Sequence, residues 1–354
     1  CGIWLASSER IAGSPNIALN AGHKGARGGG SAWGAKSAIP QKAEESSTPS
    51  LRGESPSWSS RSAATPTDAT LSTVTGTCAS SPCTLSGLTN GGTYAVAVAA
   101  VNSVGAGPRS ATVSATPYPA AVMTSSAVKL WLDAADTSTL FAGSTCSGTA
   151  ASSSLGCWKD KSTSANDVSQ VTVGSRPAFT TVKGRPVPLF TGSQYLSGNA
   201  ALLPNGTATS TVAVAGAVNP AVAMNGISVI AYGGTANATQ RRITSWVQAG
   251  VDVLSNPMAF STAWPGSTAQ GVVIGQFTSG TSVSVFTGSD AGATTAGAFT
   301  TGTHHLWVGA SGASTPSGSW MGNTSEIIVF NTSLTTTSRR SVEEYLGRKW
   351  GGVI

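Results

Sequence analysis

The sequence predicts an all-β fold, centred on a two-sheet antiparallel jelly-roll sandwich that ends in one helix. Three observations support this. The 354 residues are poor in charge (10%) and contain 43 glycines, a composition that favours short strands and many turns. About ten short apolar runs follow residue 127 at the spacing of a sandwich. The only convincing helical periodicity lies at the end of the chain. A partial β-sandwich and a disordered N-terminus are predicted to precede the jelly roll.

Residues 1–63 are predicted to be a low-complexity or disordered leader. They show no useful run of helical or strand periodicity, and they contain the triplet at residues 28–30, which is all glycine. A segment that cannot bury enough apolar surface stays disordered.

Residues 64–117 show the alternation of β-strands. A strand is predicted at residues 71–74 and a turn between Cys78 and Cys83. Tyr94, Val96 and Val98 then share one face of the next strand. This spacing, followed by a Gly-x-Gly-Pro turn at residues 105–108, resembles the second half of a fibronectin type III domain. The family's corner tyrosine ties loop to strand, and the resemblance gives that place to Tyr94. Residues 118–126 form the predicted linker.

Residues 127–354 are predicted to form the jelly roll. Its opening strand starts at Val128, and further strands are expected at residues 211–218, 227–232, 243–253, 272–277, 283–286, 304–308 and 326–330. In the final helix Thr335 is the expected N-cap, and apolar residues recur at helical spacing from Val342 to Trp350. Gly351 and Gly352 end the helix.

Five short motifs occur in order along this part of the chain. They read Leu-Trp-Leu-Asp-Ala at 130–134, Cys-Trp-Lys-Asp-Lys-Ser at 157–162, Leu-Phe-x-Gly-x-x-Tyr-Leu at 189–196, Glu-Ile-Ile-Val-Phe-Asn-x-x-Leu at 326–334 and Val-Glu-Glu-Tyr-Leu-x-x-Lys-Trp-Gly at 342–351. Together they resemble the concanavalin A-like lectin/glucanase superfamily, and within it the laminin-G-like jelly rolls. The resemblance implies the fold, but that superfamily contains both lectins and hydrolases.

Charge and cysteine usage narrow the functional classes. The net charge of +6 is spread thinly, unlike the clustered Lys and Arg of a nucleic-acid-binding face. No apolar run reaches the roughly 18 residues of a transmembrane segment.

The cysteines lack the spacing of a zinc site. Cys78 with Cys83 and Cys146 with Cys157 are predicted disulfides, which indicates an extracellular or cell-surface protein. The alternative is four reduced thiols in a cytosolic protein.

The sequence shows no motif for catalysis. A glycosidase needs two facing carboxylates, and the E-x-D-x-x-E motif of the laminarinase-type relatives is absent. Asp133 and Asp136 are predicted to cap turns, and Glu343 and Glu344 to face solvent. Adjacent histidines at 304 and 305 point to opposite faces of a strand, so at most one serves a given site. The chain is therefore predicted not to be an enzyme, while an acid pair formed across strands stays an open alternative.

Binding is the remaining prediction. Trp264 and Trp320 lie in turn-like contexts and are the predicted carbohydrate-binding residues, since sugars stack on exposed aromatic faces. The tryptophans in apolar patterns are predicted core residues: Trp131, Trp158, Trp246, Trp307 and Trp350. No cofactor is required; calcium is the one candidate, held by Asp252 with Asn256 or by Asp160 with Asp167.

The leading hypothesis is a non-catalytic extracellular module for glycan binding or adhesion. Its expected partner is a glycan or an extracellular protein, not a nucleic acid. Two alternatives are kept: a structural spacer or protein-interaction module with no small ligand, and a divergent glycoside hydrolase.

Overall fold

A computed structural model describes residues 17–19, 59–79, 83–123, 126–219, 227–234, 239–245, 249–253, 258–260, 270–288, 292–312 and 315–352. Only the backbone is described at residues 17–19, 83–84, 245, 249–253 and 258–260. The chain forms two compact units. The first contains Cys1–Ala12, Asn16–Leu88 and Thr93–Ala115, and the second contains Gly13–Pro15, Thr89–Gly92 and Thr116–Ile354.

The described part of the first unit contains seven short strands. They are β1 (Ile17–Leu19), β2 (Ser59–Pro66), β3 (Val74–Cys78), β4 (Cys83–Leu85), β5 (Tyr94–Asn102), β6 (Gly105–Ala106) and β7 (Val113–Ala115). A five-stranded sheet runs β3-β2-β5-β6, with β7 also paired to β5, and β1 pairs with β4. Strand β2 begins inside the segment predicted as leader.

Strand β5 supplies the core of this unit. Tyr94, Val96 and Val98 are buried together with Leu85 and Leu88, which is the face that the alternation predicted. The likeness of this unit to a fibronectin type III domain stays a prediction.

In the second unit, the described residues form the remaining strands and one α-helix. The strands are β8 (Val128–Asp133), β9 (Leu140–Phe141), β10 (Cys157–Trp158), β11 (Val168–Ser169), β12 (Ala178–Val182), β13 (Arg185–Thr191), β14 (Leu196–Gly198), β15 (Ser210–Val218), β16 (Ile227–Gly233), β17 (Gln240–Ser245), β18 (Ala249–Val253), β19 (Met258–Phe260), β20 (Gly271–Thr278), β21 (Ser282–Phe286), β22 (Ala293–Ala296), β23 (His305–Val308) and β24 (Met321–Phe330). Three short 3₁₀ turns lie at Thr137–Thr139, Val173–Ser175 and Ala200–Leu202.

These strands build two antiparallel sheets, as the sequence predicted. One sheet has nine strands in the order β19-β18-β17-β16-β23-β14-β11-β10-β9. The other has the order β12-β13-β24-β15-β20-β21-β22, and β8 is its eighth strand, paired with β24. The buried apolar residues of both sheets form one large cluster, so the two sheets make a sandwich with a common core.

The helix α1 (Thr336–Trp350) packs against β15 and β20. The Thr335 side chain accepts a hydrogen bond from the Ser338 amide, and Gly351 ends the helix with a φ of 81°. The predicted apolar stripe is buried in the core cluster. Tyr345, Lys349 and Trp350 of the helix also donate hydrogen bonds to Glu326 of β24. The helix and the core between the sheets thus both cover β24, which is buried along almost its whole length. No helix in the described part of the chain is long and apolar enough to span a bilayer.

The predicted disulfide between Cys146 and Cys157 is confirmed, with the two Cα atoms 5.1 Å apart. Cys78 is also disulfide-bonded, but the side chain of Cys83, its predicted partner, lies outside the described residues.

Replacing both Cys146 and Cys157 by alanine is expected to lower the free energy of unfolding of the second unit. The two cysteines are 11 residues apart in sequence. In the chain-entropy model, closing a loop of this length stabilises the folded protein by about 2–3 kcal/mol. Urea denaturation followed by tryptophan fluorescence measures the loss. An unchanged midpoint would show that the bridge does not constrain the unfolded chain.

Candidate functional site

The outer face of the nine-stranded sheet carries the candidate site. Strand β23 alternates, so that Leu306 and Val308 enter the core between the sheets while Trp307 belongs to a separate cluster with Ala231, Ala310 and Tyr195. That cluster lies on the side of the sheet turned away from the core.

Strand register extends this face across the sheet. Trp307 pairs with Ser197 of β14 on one side and with Ala231 of β16 on the other. Ala231 pairs in turn with Arg242 of β17, which pairs with Asp252 of β18. Cross-strand neighbours share a face, so Ser197, Trp307, Ala231 and Arg242 form one row on the outer face. The backbone register continues from Arg242 to Asp252.

Three aromatic rings along this row form what we call the aromatic patch: Tyr195, His305 and Trp307. Tyr195 meets the Trp307 ring edge-to-face at 5.5 Å, and the His305 ring stacks on the Trp307 ring at 5.0 Å and 26°. Trp307 is only 5% exposed, while Tyr195 and His305 are half-buried. A ligand would therefore meet Tyr195 and His305, with Trp307 as their support.

The loop after β23 fixes the Trp307 ring. Trp307 Nε1 donates a hydrogen bond to the Gly312 carbonyl at 3.1 Å, and Gln240 Nε2 donates to the same oxygen at 3.0 Å. Gly312 has a φ of 115°, and a Cβ there would overlap the Thr315 carbonyl oxygen. Only glycine suits this position.

The side chains of Tyr195 and His305 make no hydrogen bond within the described part of the chain. Among the described residues, neither the Tyr195 hydroxyl nor the ring nitrogens of His305 have a hydrogen-bond partner. Each of these rings therefore combines an apolar face with an available polar atom, which is the combination that sugar recognition uses.

Of the two tryptophans predicted to bind carbohydrate, only Trp320 is described, and it lies outside the aromatic patch. Trp320 is fully buried in the sandwich core, contrary to the exposure its turn-like context predicted. Its amide donates to the Gly309 carbonyl and its Nε1 to the Asn323 carbonyl. A bridge between Ser319 and Ser228 also holds this segment against the nine-stranded sheet, and the Trp320 ring lies in the core between the sheets. Trp264 lies outside the described residues.

The calcium candidates are engaged elsewhere or not described. Both Asp160 oxygens accept hydrogen bonds, Oδ1 from the Trp131 and Ser162 amides and Oδ2 from the Ser162 hydroxyl and the Asn166 amide. Four donors fill the acceptor capacity of a carboxylate. Asp167 Oδ1 accepts from the Asp160 amide, so this pair stabilises a loop. Asn256 and the side chain of Asp252 lie outside the described residues.

Two carboxylates do meet across strands, at the edge of the eight-stranded sheet. Asp133 of β8 pairs in register with Glu326 of β24. Lys349 Nζ lies 2.7 Å from Asp133 Oδ1 and 2.8 Å from Glu326 Oε2, so these oxygens are at most about 5.5 Å apart. Retaining glycosidases hold their two carboxyl groups about 5–5.5 Å apart, so the accessibility of this pair decides whether it could act in catalysis. The turn-capping role predicted for Asp133 is also present, because Oδ1 accepts from the Ala135 amide.

This acid pair is sealed from solvent. Glu326 is 0% exposed. Its Oε1 accepts from Trp131 Nε1 and the Tyr345 hydroxyl, and its Oε2 from Lys349 Nζ and Trp350 Nε1. A polysaccharide has no path to atoms packed in this way. We therefore interpret the acid pair as a structural ion cluster that joins the helix to the sheet.

Burial and charge act differently on the two acids. Burial opposes ionisation of Asp133, but the charges and hydrogen bonds of Lys349 and Lys161 outweigh it and hold the pKa of that carboxyl below its ordinary value. Burial, together with the charge of Asp133, raises the pKa of Glu326 despite Lys349.

Two other sequence-based predictions have clear outcomes. Glu343 is buried and paired with Arg339 at 2.7 Å, so its predicted solvent exposure is wrong; Glu344 is exposed, as predicted. His304 is exposed and His305 is half-buried. Of the two histidines, only His305 stacks on Trp307 in the aromatic patch.

Comparison with known proteins gives structural matches alone. No family model and no curated protein matches this sequence. Solved structures do match. A GH54 α-L-arabinofuranosidase soaked with a cyclic sulfate inhibitor has a TM-score of 0.44 at 9% identity, covering 63% of this chain and 63% of that chain.

Two further matches are smaller domains. Domain 4 of AbnA, a GH43 extracellular arabinanase from Geobacillus stearothermophilus in complex with arabinotriose, has a TM-score of 0.36 at 12% identity, covering 48% of this chain and 81% of that one. The CBM40 of a Ruminococcus gnavus IT-sialidase bound to α2,6-sialyllactose has a TM-score of 0.31 at 13% identity. The match covers 38% of this chain and 83% of that chain. The chain spans 51–63% of the length of the arabinofuranosidase structures.

These matches correct one sequence-based prediction. The prediction that the chain is not an enzyme is wrong, because glycoside hydrolases are among the structures that it matches.

Proposed function

We propose that the second unit recognises carbohydrate through the aromatic patch on the outer face of the nine-stranded sheet. The observation that carries the proposal is the pair of half-buried rings, Tyr195 and His305, supported by Trp307 and left with free polar edges. Ring faces stack on the C–H surfaces of sugars, while a hydroxyl and imidazole nitrogens bond to sugar hydroxyls.

The rigidity of the patch supports the same proposal. The hydrogen bond from Trp307 Nε1 to Gly312 holds the central ring, and His305 and Tyr195 pack on it. A preorganised patch loses less side-chain freedom when a ligand binds. The disulfide at Cys146 and Cys157 suits an oxidising, extracellular setting, where structural polysaccharides occur.

Tyr195→Ala and His305→Ala are each expected to weaken binding of a soluble polysaccharide roughly tenfold, as expected for an aromatic contact at the centre of a site. Affinity electrophoresis in arabinan, arabinoxylan and β-glucan measures this. Tyr118→Ala is the matched control, because Tyr118 packs edge-to-face on Trp131, outside the patch. Retention of wild-type protein by none of these polymers would contradict the proposal, and so would unchanged retention of both patch variants.

Glycoside hydrolysis on the same face is the second candidate function. Its support is the backbone register of Asp252, the one carboxylate residue that pairing brings to the row of Trp307 and Arg242 among the described residues. Asp252 would supply one of the two carboxylates that a glycosidase needs. Release of nitrophenol from 4-nitrophenyl α-L-arabinofuranoside by wild-type protein, and its loss in Asp252→Asn, would favour hydrolysis. Binding without turnover would favour recognition.

A further inference from the structure

The segment 170–176, which we call the rim loop, lies beside the aromatic patch. The packing of the sandwich does not account for the exposed apolar side chains of this loop. Its two valines are among the most exposed large apolar residues of the described chain, with Val171 75% and Val173 67% exposed. A single exposed apolar residue is ordinary. Two valines this exposed in one short loop, which is hydrogen-bonded to the backbone of Tyr195, place apolar surface close to the aromatic patch.

Backbone hydrogen bonds join the rim loop directly to Tyr195. The Tyr195 amide donates to the Ser175 carbonyl at 3.1 Å, and Gln170 Nε2 donates to the Tyr195 carbonyl at 3.2 Å. These bonds hold the rim loop against the backbone of Tyr195, the residue that carries one ring of the aromatic patch.

Hydrogen bonds from the Arg176 guanidinium hold the rim loop in place. Its Nε donates to the Gln170 carbonyl and its Nη1 to the Ala142 carbonyl, both at 2.8 Å, and its Nη2 donates to the Val171 carbonyl at 3.3 Å. Gln170 Oε1 accepts from the Thr172 amide at 2.9 Å. One guanidinium thus holds three carbonyls, which a lysine cannot reproduce because it lacks the planar fork.

We propose that the rim loop is the second wall of the carbohydrate site, and that Val171 and Val173 contact sugar residues next to the one seated on Tyr195. This inference rests on the proposed function and adds to it the class of ligand. Val171 and Val173 lie in a segment separate from the strand that carries His305 and Trp307, so a ligand that contacts both must be longer than one sugar. The site therefore takes an internal stretch of a polysaccharide in preference to a single sugar end. Arg176 is a positioning residue, since it acts through the loop.

The test compares a long ligand with a short one. The double variant V171S/V173S is expected to lose roughly fivefold to tenfold in affinity for the polysaccharide that wild-type protein binds, with unchanged affinity for the disaccharide of the same sugar. Arg176→Lys should show the same selective loss. Val104→Ser, at a 94% exposed valine of the first unit, is the matched control and should bind both ligands as wild type does. Isothermal titration calorimetry gives both affinities.

The outcomes separate the two proposals. If Tyr195→Ala loses binding while V171S/V173S keeps full affinity for the polymer, the rim-loop inference is wrong and the proposed function stands. An equal loss for polymer and disaccharide would also overturn the inference, because it indicates a general disturbance of the site. If wild-type protein binds no polysaccharide, both proposals fail. Because both valines are exposed, the melting temperature should not change; if it falls, V171T/V173T repeats the test with β-branched residues.

Discussion

Replacing Lys349 by methionine is expected to destabilise the second unit by about 3–5 kcal/mol, the cost of removing one partner from a buried ion pair. The ammonium lies between Asp133 and Glu326 and also contacts the Tyr345 hydroxyl at 2.8 Å. Without it, Glu326 remains fully buried with no adjacent cation of its own. Urea denaturation monitored by tryptophan fluorescence measures the effect, since Trp131 and Trp350 both donate to Glu326.

The pH dependence of this variant distinguishes lost charge from lost packing. With Lys349 removed, the pKa of Glu326 in the folded protein should rise further above its unfolded value of about 4.3. A raised folded-state pKa means that the folded protein binds the proton more tightly, so stability is gained as pH falls. The penalty of Lys349→Met should therefore shrink between pH 7 and pH 5. A penalty independent of pH would point to packing alone.

Two further variants complete this comparison. Adding Glu326→Gln to Lys349→Met should recover part of the lost stability, because an uncharged amide costs less to bury than an unpaired carboxylate. Arg348→Ala is the control on the same helix. Its exposed pair with Glu344, at 3.0 Å, should contribute at most about 0.5 kcal/mol.

The Trp320→Ala substitution is also expected to cost about 3–5 kcal/mol, the range for truncating a buried aromatic residue. Trp320 is fully buried in the core cluster, so its loss leaves a cavity between the sheets. Thermal denaturation should show the loss, and polysaccharide affinity of the folded variant should stay unchanged.

Tyr195→Ala should affect polysaccharide binding more than stability, whereas Trp320→Ala should affect stability more than binding. Tyr195 is only half-buried, so its truncation should reduce polysaccharide binding with a smaller loss of stability. If Trp320→Ala instead keeps its stability and loses binding, the core position of the ring is wrong and the sequence-based assignment of a ligand role is right.

Local patterns predicted the parts of the fold whose determinants lie close together in sequence. The helix is the best example. Its cap at Thr335, its apolar stripe and its end at Gly351 all lie within about five turns, and the structure has each of them. The disulfide of Cys146 and Cys157 also belongs to this class, since its cysteines flank one loop.

The parts that sequence reasoning missed depend on distant pairing. Asp133 and Glu326 are far apart in sequence, and only strand register brings them together. Strand β2 has the sequence Ser-Ser-Arg-Ser-Ala-Ala-Thr-Pro, whose small residues carry little strand signal. Its pairing with both β3 and β5 forms the strand nonetheless.

The aromatic patch shows the same limitation at the candidate site. Trp307 lies in an apolar run and was predicted to be a core residue; it is buried, but on the outer face of its sheet. The available signal was the alternation of His305 and Trp307 against Leu306 and Val308, which separates the two faces. For Trp320, the glycine and serine before it indicated a turn but not the direction in which the ring points.

The ion cluster also affects the synthesis of the protein. Asp133 opens the jelly roll and Lys349 closes it, 216 residues later. During synthesis the nascent chain therefore carries Asp133 for 216 residues, and Glu326 for 23, before their cation is added. Because contacts between distant residues slow folding, the sandwich should reach its final packing only after helix α1 has left the exit tunnel.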